Sequence, residues 1–139
     1  MAAYNIVPGS RDVLAEVVNA GTDQWAIALS NTEPTDTTFI AGTTDLATGG
    51  GYTQGGVNVT TLSSSEAAGV YSLVLSSPPT FAPSSGNSIG PLQYVLLVNT
   101  TNNLTMGYWS LPSPITINGT AGDTFTFTPD GTNGVFQIA

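Results

Sequence analysis

A glycine-rich stretch, ATGGGYTQGGVNV from Ala47 to Val59, is the first place where residue types and spacing could do chemistry. Such runs can cradle phosphate with their backbone N–H groups, and they can also simply turn the chain. A Walker-type loop needs Lys directly after its glycines, and a dinucleotide fingerprint needs a following helix. The chain has no Lys, and strand-like residues follow. We therefore interpret the glycines as structural turn residues, namely Gly49, Gly50, Gly51, Gly55 and Gly56.

The acidic residues are the other groups that could do chemistry. The chain has no His and no Cys, so the common triads, thiol nucleophiles and most transition-metal sites lack their parts. A carboxylate pair could hydrolyse a glycoside, and the oxygen-rich segments TPDGTNG and NTEPTDTT could bind Ca²⁺. Most of the nine acids adjoin turns or caps, and neither segment matches an EF-hand loop. Solvated or turn-capping carboxylates are favoured, and we expect no catalytic residue, no metal and no cofactor.

Charge excludes several classes of partner. Only 7% of the residues are charged, Arg11 is the single cation, and the net charge is −8. Such a surface cannot release counterions from a phosphate backbone, so we expect neither nucleic acid nor an anionic membrane as a partner. The N-terminal residues lack the pattern of a signal peptide, and no apolar run approaches the roughly 20 residues that span a bilayer. We expect a protein that is made and kept soluble inside a cell.

One short helix is predicted near the N-terminus, over SRDVLAEVVNAG from Ser10 to Gly21. Ser10 is a candidate N-cap, and Gly21 stands where a helix would end. The apolar residues of one helical face are Val13, Leu14, Val17 and Val18. Three of these residues, Val13, Val17 and Val18, are β-branched, which leaves a strand as the alternative.

Short strands separated by turns account for most of the remaining sequence. Trp25, Ile27 and Leu29 alternate with smaller residues in a strand over 24–31, and a long surface loop follows over 34–56. Further strands are predicted at 57–62, 70–76, 91–100, 104–111, 115–118, 123–128 and 135–139. About seven or eight strands at this spacing predict a mainly β fold, an antiparallel β-sandwich or barrel with one short N-terminal helix. We assign residues 10–139 to this single β-rich domain and residues 1–9 to an N-terminal arm.

Two groups of residues are candidates for an interface. Tyr4, Ile6 and Val7 belong to the apolar arm, which could add to the edge strand of a neighbouring molecule; a frayed terminus is the alternative. Adjacent Tyr108 and Trp109 must point to opposite faces of a strand, so one of them is available to a partner or a sugar. Packing in the core or between subunits is favoured over sugar binding.

The order of several motifs resembles a known family. DQWAIALSNTEPT is followed by TDLATGGGYTQGG, GVYSLVLSSPPTF, GNSIGPLQYVLLVN, GYWSLPSPITINGTAGDTFTFT and NGVFQIA. This succession, covering roughly residues 10–139, resembles a family of small structural proteins of tailed bacteriophages with a G-x-GYT-x-GG segment. Members often carry Lys before the first alternating strand, and the near absence of cations in this chain is a departure from that pattern.

The resemblance implies a non-catalytic component of the virion. From the resemblance we first expect a capsid decoration, or cement, protein, which is assembled in the host cytoplasm and located on the capsid surface. The implied partners are the major capsid protein and further copies of the chain itself, as a homo-oligomer and at family level a trimer. A protein of the tail, neck, baseplate or fibre base is the first alternative, and a carbohydrate-binding β module is the second.

Overall fold

Two antiparallel sheets and one short helix make up the computed structural model, which describes residues 3–132 and 134–138. The elements in chain order are β1 (Tyr4–Ile6), α1 (Ser10–Glu16), β2 (Trp25–Ser30), β3 (Val57–Val59), β4 (Thr61–Ala67), β5 (Val70–Leu75), β6 (Ser88–Asn99), β7 (Leu104–Asn118) and β8 (Phe136–Ile138). The larger sheet has the order β1-β7-β6-β2-β3, and the smaller sheet has the order β4-β5-β8. The arrangement is a β-sandwich, which confirms the predicted fold class.

The main core lies between the two sheets. Trp25, Ile27 and Leu29 of β2 are fully buried there, and they belong to the same cluster as Leu73 and Leu75 of β5. Alternation along β2 places these large side chains on one face, as the sequence predicts. Trp25 Nε1 also donates to the carbonyl oxygen of Ala20 at 2.9 Å, which ties β2 to the turn that precedes it.

The outer face of the larger sheet is also covered. Ala26 and Ala28 of β2 pack with Leu96 and Val98 of β6 in a second cluster, and Phe39 completes it from the long loop. The loop is fixed to β7 by a bridge between Thr38 and Leu104. All six residues of β2 are therefore buried, although the strand belongs to an antiparallel sheet with alternating residue sizes.

The helix is shorter than the sequence predicts. It ends at Glu16, and Gly9, with φ of 86°, stands at the N-cap position that we expected Ser10 to hold. Ser10 is the first helical residue and is buried. Val13, Leu14 and Val18 pack against the core as expected, but Val17 is 52% exposed because the chain leaves helical geometry at that residue.

Several strand boundaries also differ from the prediction. The segment 57–62 is divided at Thr60, because β3 pairs with β2 whereas β4 pairs with β5 in the other sheet. The segments 104–111 and 115–118 are one strand, β7, which continues through Pro112 and Pro114. The segment 123–128 forms only one bridge, between Phe125 and Phe81. Ala139, the predicted end of the last strand, lies outside the described residues.

The outermost strands leave part of each sheet open. β1 pairs only with Gly107, Tyr108 and Trp109 of β7, so residues 110–118 have β6 as their one strand partner in the described chain. Tyr4–Ile6 thus belongs to the chain's own sheet, whereas we expected it to reach a neighbouring molecule or to fray. Within residues 3–132 and 134–138, no helix has the length and apolar character that crossing a membrane requires.

Replacement of Phe39 tests whether the long loop stabilises the outer face of the larger sheet. We expect Phe39→Ala to lower the free energy of unfolding by about 3 kcal/mol, because it opens a cavity over Ala26 and Ala28. Ile40→Ala is the matched control, since Ile40 is 55% exposed and its loss should cost less than about 0.5 kcal/mol. Urea unfolding measures both values, and equal values would contradict this role for the loop.

Candidate functional site

The glycine-rich segment begins with a tight turn. Gly49 and Tyr52 form an antiparallel bridge, in which the backbone N–H of each donates to the carbonyl of the other at 3.0 Å. Gly50 and Gly51, the two residues between them, have φ of 65° and 108°. L-residues with side chains rarely adopt such values, whereas glycine does so without a steric penalty. The glycines here reverse the chain.

The turn packs closely against the loop that precedes β6. A Cβ atom on Gly50 would lie 2.0 Å from the carbonyl oxygen of Ser88, and one on Gly51 would lie 2.6 Å from the backbone nitrogen of Ser84. That nitrogen donates to the carbonyl of Gly50 at 2.9 Å. The backbone of this segment therefore contacts protein where a phosphate-binding loop would contact a ligand.

The second pair of glycines leads the chain into β3. Gly55 and Gly56 have φ of 95° and 76°. A Cβ atom on Gly56 would lie 2.2 Å from the carbonyl oxygen of Ile27 in β2, whereas one on Gly55 would meet nothing within 4 Å. Gly56 thus permits the close approach that brings Val57 into register with Ile27.

A buried carboxylate organises the same region. Asp45 is 5% exposed, and its carboxylate accepts hydrogen bonds from Tyr52 Oη at 2.6 Å and from the backbone N–H groups of Gly42 and Gly55 at 2.7 Å each. Tyr52 Oη in turn accepts a hydrogen bond from the backbone N–H of Leu29 at 3.1 Å. We call Asp45, Tyr52, Gly42 and Gly55 the Asp45 clasp. It joins the long loop to the buried strand β2.

The hydrogen bonds of the Asp45 clasp have a structural role. Burial raises the pKa of Tyr52, and its hydrogen bond to Asp45 raises it further, so the phenol keeps its proton and remains a donor. Both carboxylate oxygens of Asp45 accept from groups of the chain itself. Asp45 and Tyr52 therefore hold the backbone around them in place, and their hydrogen bonds are made to groups within the fold.

The other carboxylates that the structure describes mainly cap turns. Asp36 accepts from the backbone N–H of Thr38 at 2.8 Å, Glu66 from that of Gly69 at 2.6 Å, and Asp130 from that of Thr132 at 2.8 Å. In the part of the chain that the structure describes, no group of three or more acidic side chains is placed to hold a metal ion.

The predicted interface residues differ in how far they are exposed. Val7 is fully buried and Trp109 is 4% exposed, so both belong to the interior of the chain and offer no surface in this conformation. Tyr4 packs over Trp109 with the ring centroids 5.0 Å apart, and Ile6 is 48% exposed. Tyr108 lies on the opposite face of β7 from Trp109 and is partly exposed.

Tyr108 belongs to a small aromatic cluster on the outer face of the larger sheet. Its ring packs edge-on against Tyr94, with the centroids 5.7 Å apart, and its hydroxyl donates to Glu33. This hydrogen bond raises the pKa of Tyr108 to about 12, because the ionised phenolate would lose the bond and face a carboxylate. We call Tyr94, Tyr108 and Glu33 the tyrosine patch.

A groove of about 660 Å³ lies beside α1, and no pattern in the sequence predicted it directly. Side chains from both sheets and from the helix line this α1 groove: Tyr4, Ile6, Ser10, Arg11, Leu14, Ala15, Met106, Phe136 and Gln137. The lining is mainly apolar, and its one charged group is Arg11, the only cation of the chain. The uniqueness of Arg11 was the one sequence signal that could have drawn attention to this place.

Comparison with protein-family models, with curated proteins and with solved structures finds no match to this chain. The function must therefore be inferred from the residues and the geometry.

Substitution of the glycines tests their role as turn residues. We expect Gly56→Val to lower the free energy of unfolding by more than about 3 kcal/mol, because it adds a clash with β2 to the strain of a positive φ. Gly55→Val adds only the strain and should cost about 1–2 kcal/mol. Gly49→Ala is the control, since its Cβ would meet nothing within 4 Å. Urea unfolding measures all three, and binding of ATP by the wild-type protein would contradict the structural interpretation.

Removal of one hydroxyl tests the Asp45 clasp. Tyr52→Phe leaves the carboxylate of Asp45 without one buried donor and the N–H of Leu29 without its acceptor. We expect a loss of about 2–3 kcal/mol in the free energy of unfolding. Tyr71→Phe is the matched control, because its hydroxyl bonds to Ser64 in an exposed position and should cost less than about 0.5 kcal/mol. A similar loss in both variants would show that the clasp does not hold the loop.

Proposed function

We propose that this chain is a non-catalytic structural protein of a tailed-bacteriophage virion, acting as a capsid decoration, or cement, protein. It binds the outer surface of the shell formed by the major capsid protein and stabilises that shell. The observation that carries the proposal is the ordered succession of motifs over residues 10–139 that resembles such virion proteins.

Each of these motifs has a place in the framework of the sandwich. DQWAIALSNTEPT contains β2, the strand buried on both faces, and TDLATGGGYTQGG contains Asp45 and Tyr52 of the Asp45 clasp. GNSIGPLQYVLLVN contains β6, and GYWSLPSPITINGTAGDTFTFT contains β7 from Gly107 onward; these are the longest strands. The residues that carry the resemblance are therefore residues of the framework of the fold.

The surface also supports a role in assembly. Ile6, Val17, Ile40, Leu62 and Ile115 are large apolar side chains with 38% or more of their area exposed. Few charges surround them, since only 7% of the residues are charged, and the centres of protein interfaces are depleted in charge. A net charge of −8 with one cation opposes contact with packaged DNA and suits the outer side of a shell. Copies of the chain associate with one another in this role, as a trimer if they occupy local three-fold positions.

Two other functions are alternatives to capsid decoration: another structural role in the virion, which the location of the protein would reveal, and carbohydrate binding, which its ligands would reveal. A place in the tail, neck, baseplate or fibre base draws on the same resemblance and the same fold. Carbohydrate binding is favoured by the tyrosine patch, where two partly exposed rings lie beside the carboxylate of Glu33. Binding of a glycan that Tyr108→Ala abolishes would support this second function.

Electron cryomicroscopy of purified virions, with and without the gene, tests the proposed function. We expect density for a small β-sandwich on the outside of the shell, at junctions between copies of the major capsid protein. Particles that lack the protein should release DNA at a lower temperature, because they lose contacts that bridge the shell subunits. Density in the tail or neck would move the protein to the first alternative, and its absence from virions would overturn the proposal.

A further inference from the structure

The α1 groove lies where the two sheets end side by side. β1 is one of the two outermost strands of the larger sheet, and β8 is one of the two outermost strands of the smaller sheet. Side chains from both strands line the groove. In the described chain, each of these strands has a strand partner on only one side. Outermost strands present unpaired backbone N–H and C=O groups, which can pair with an added strand. Both strands that contribute side chains to the groove can therefore take one further strand partner.

The floor of the groove is apolar. Met106 is 3% exposed at its base, Leu14 and Phe136 pack against the main core, and Ile6 stands 48% exposed at the side. A volume of about 660 Å³ is within the range of clefts that bind ligands in proteins. An extended segment alternates its side chains, so one set would enter this floor while the other set faced solvent.

Arg11 supplies the one charge of the groove. It is exposed, and it forms no ion pair or hydrogen bond with any residue in the described ranges. Every other charged side chain in the sequence is acidic. A guanidinium that lacks an internal partner, on a surface that is otherwise anionic, selects a carboxylate.

From these three features we propose that the α1 groove binds an extended peptide segment of a partner protein, with apolar side chains at alternate positions and one Asp or Glu. The segment adds as a strand to β1 or β8, its apolar side chains enter the floor at Leu14 and Met106, and its carboxylate pairs with Arg11. Peptide recognition by strand addition uses this division, in which backbone bonds give affinity and alternate side chains give specificity. The inference does not require the virion role; within that role the segment belongs to the shell protein.

Other occupants satisfy fewer of these features. A fatty acid would meet Arg11 and the apolar floor but would leave the strand edges unpaired. A second copy of the chain also carries carboxylates, so sedimentation velocity must distinguish it from a partner peptide. The backbone edges and the single guanidinium together favour a short acidic strand.

Selection from a random dodecapeptide library against the folded wild-type protein tests the proposal. The most enriched peptide is labelled with fluorescein as the probe. We expect enriched peptides to share one Asp or Glu flanked by apolar residues at alternate positions. Arg11→Glu should weaken binding of the probe by at least about tenfold, measured by fluorescence anisotropy. Ala15→Trp, which places an indole in the groove, should weaken it similarly.

The controls separate loss of the site from loss of the fold. Glu16→Gln is the matched variant on α1, since Glu16 does not line the groove, and it should change the affinity by less than about twofold. Circular dichroism and thermal unfolding should be the same for all variants, because Arg11, Ala15 and Glu16 are exposed. Amide hydrogen exchange should slow in β1 or β8 when the probe is bound, as expected for an added strand.

Four results would overturn the proposal. The first is that no enriched peptide distinguishes the wild type from Arg11→Glu, and the second is that the bound probe leaves hydrogen exchange in β1 and β8 unchanged. Self-association of the pure protein in sedimentation velocity, abolished by Arg11→Glu, would assign the groove to a second copy. Binding of dodecanoate that competes with the probe and requires Arg11 would assign it to an amphiphile. None of these results depends on where the protein lies in a virion, so the proposed function is tested separately.

Discussion

A buried carboxylate costs free energy unless donors surround it, and this requirement organises the region around Asp45. Its donors come from Tyr52, Gly42 and Gly55, which are distant from one another along the long loop. Tyr52 is bonded to β2 as well, through the N–H of Leu29. If the loop moved away from the sheet, the hydrogen bond from Leu29 to the Tyr52 hydroxyl or the one from that hydroxyl to Asp45 would break. Asp45 thus helps to connect an irregular segment to the core of the fold.

Coverage of the larger sheet depends on that connection. The loop that the Asp45 clasp holds also carries Phe39, which packs over Ala26 and Ala28 on the outer face. Antiparallel sheets commonly leave one face to water, and a short domain has few elements with which to cover a second face. Here an irregular segment does so, and the small side chains of β2 leave room for it.

Patterns of residue type predicted the regular parts of this fold well and the turns less well. Alternation located β2 because large and small residues follow the pleat, and the strand-forming residues of 91–100 located most of β6. The glycines were interpreted as turn residues because no Lys followed them. Pro112 and Pro114 suggested a break; β7 continues through them as one strand, but its pairing with β6 shifts register there, between the pairs Tyr94–Ser110 and Leu92–Ile115. The partners of Asp45 and the surroundings of Arg11 could not be predicted, because both depend on contacts between residues far apart in sequence.

The stretch of β7 beyond β1 has a further consequence when many copies of the chain are close together. An open strand edge is a template on which identical molecules can stack without limit, which leads to fibrils. Pro112 and Pro114 lack the N–H groups that a continuous ladder needs. Open-ended polymerisation along this edge is therefore disfavoured, and β1 and β8, with three residues each, present only short edges. Crowding many such molecules together then favours discrete contacts over amyloid growth.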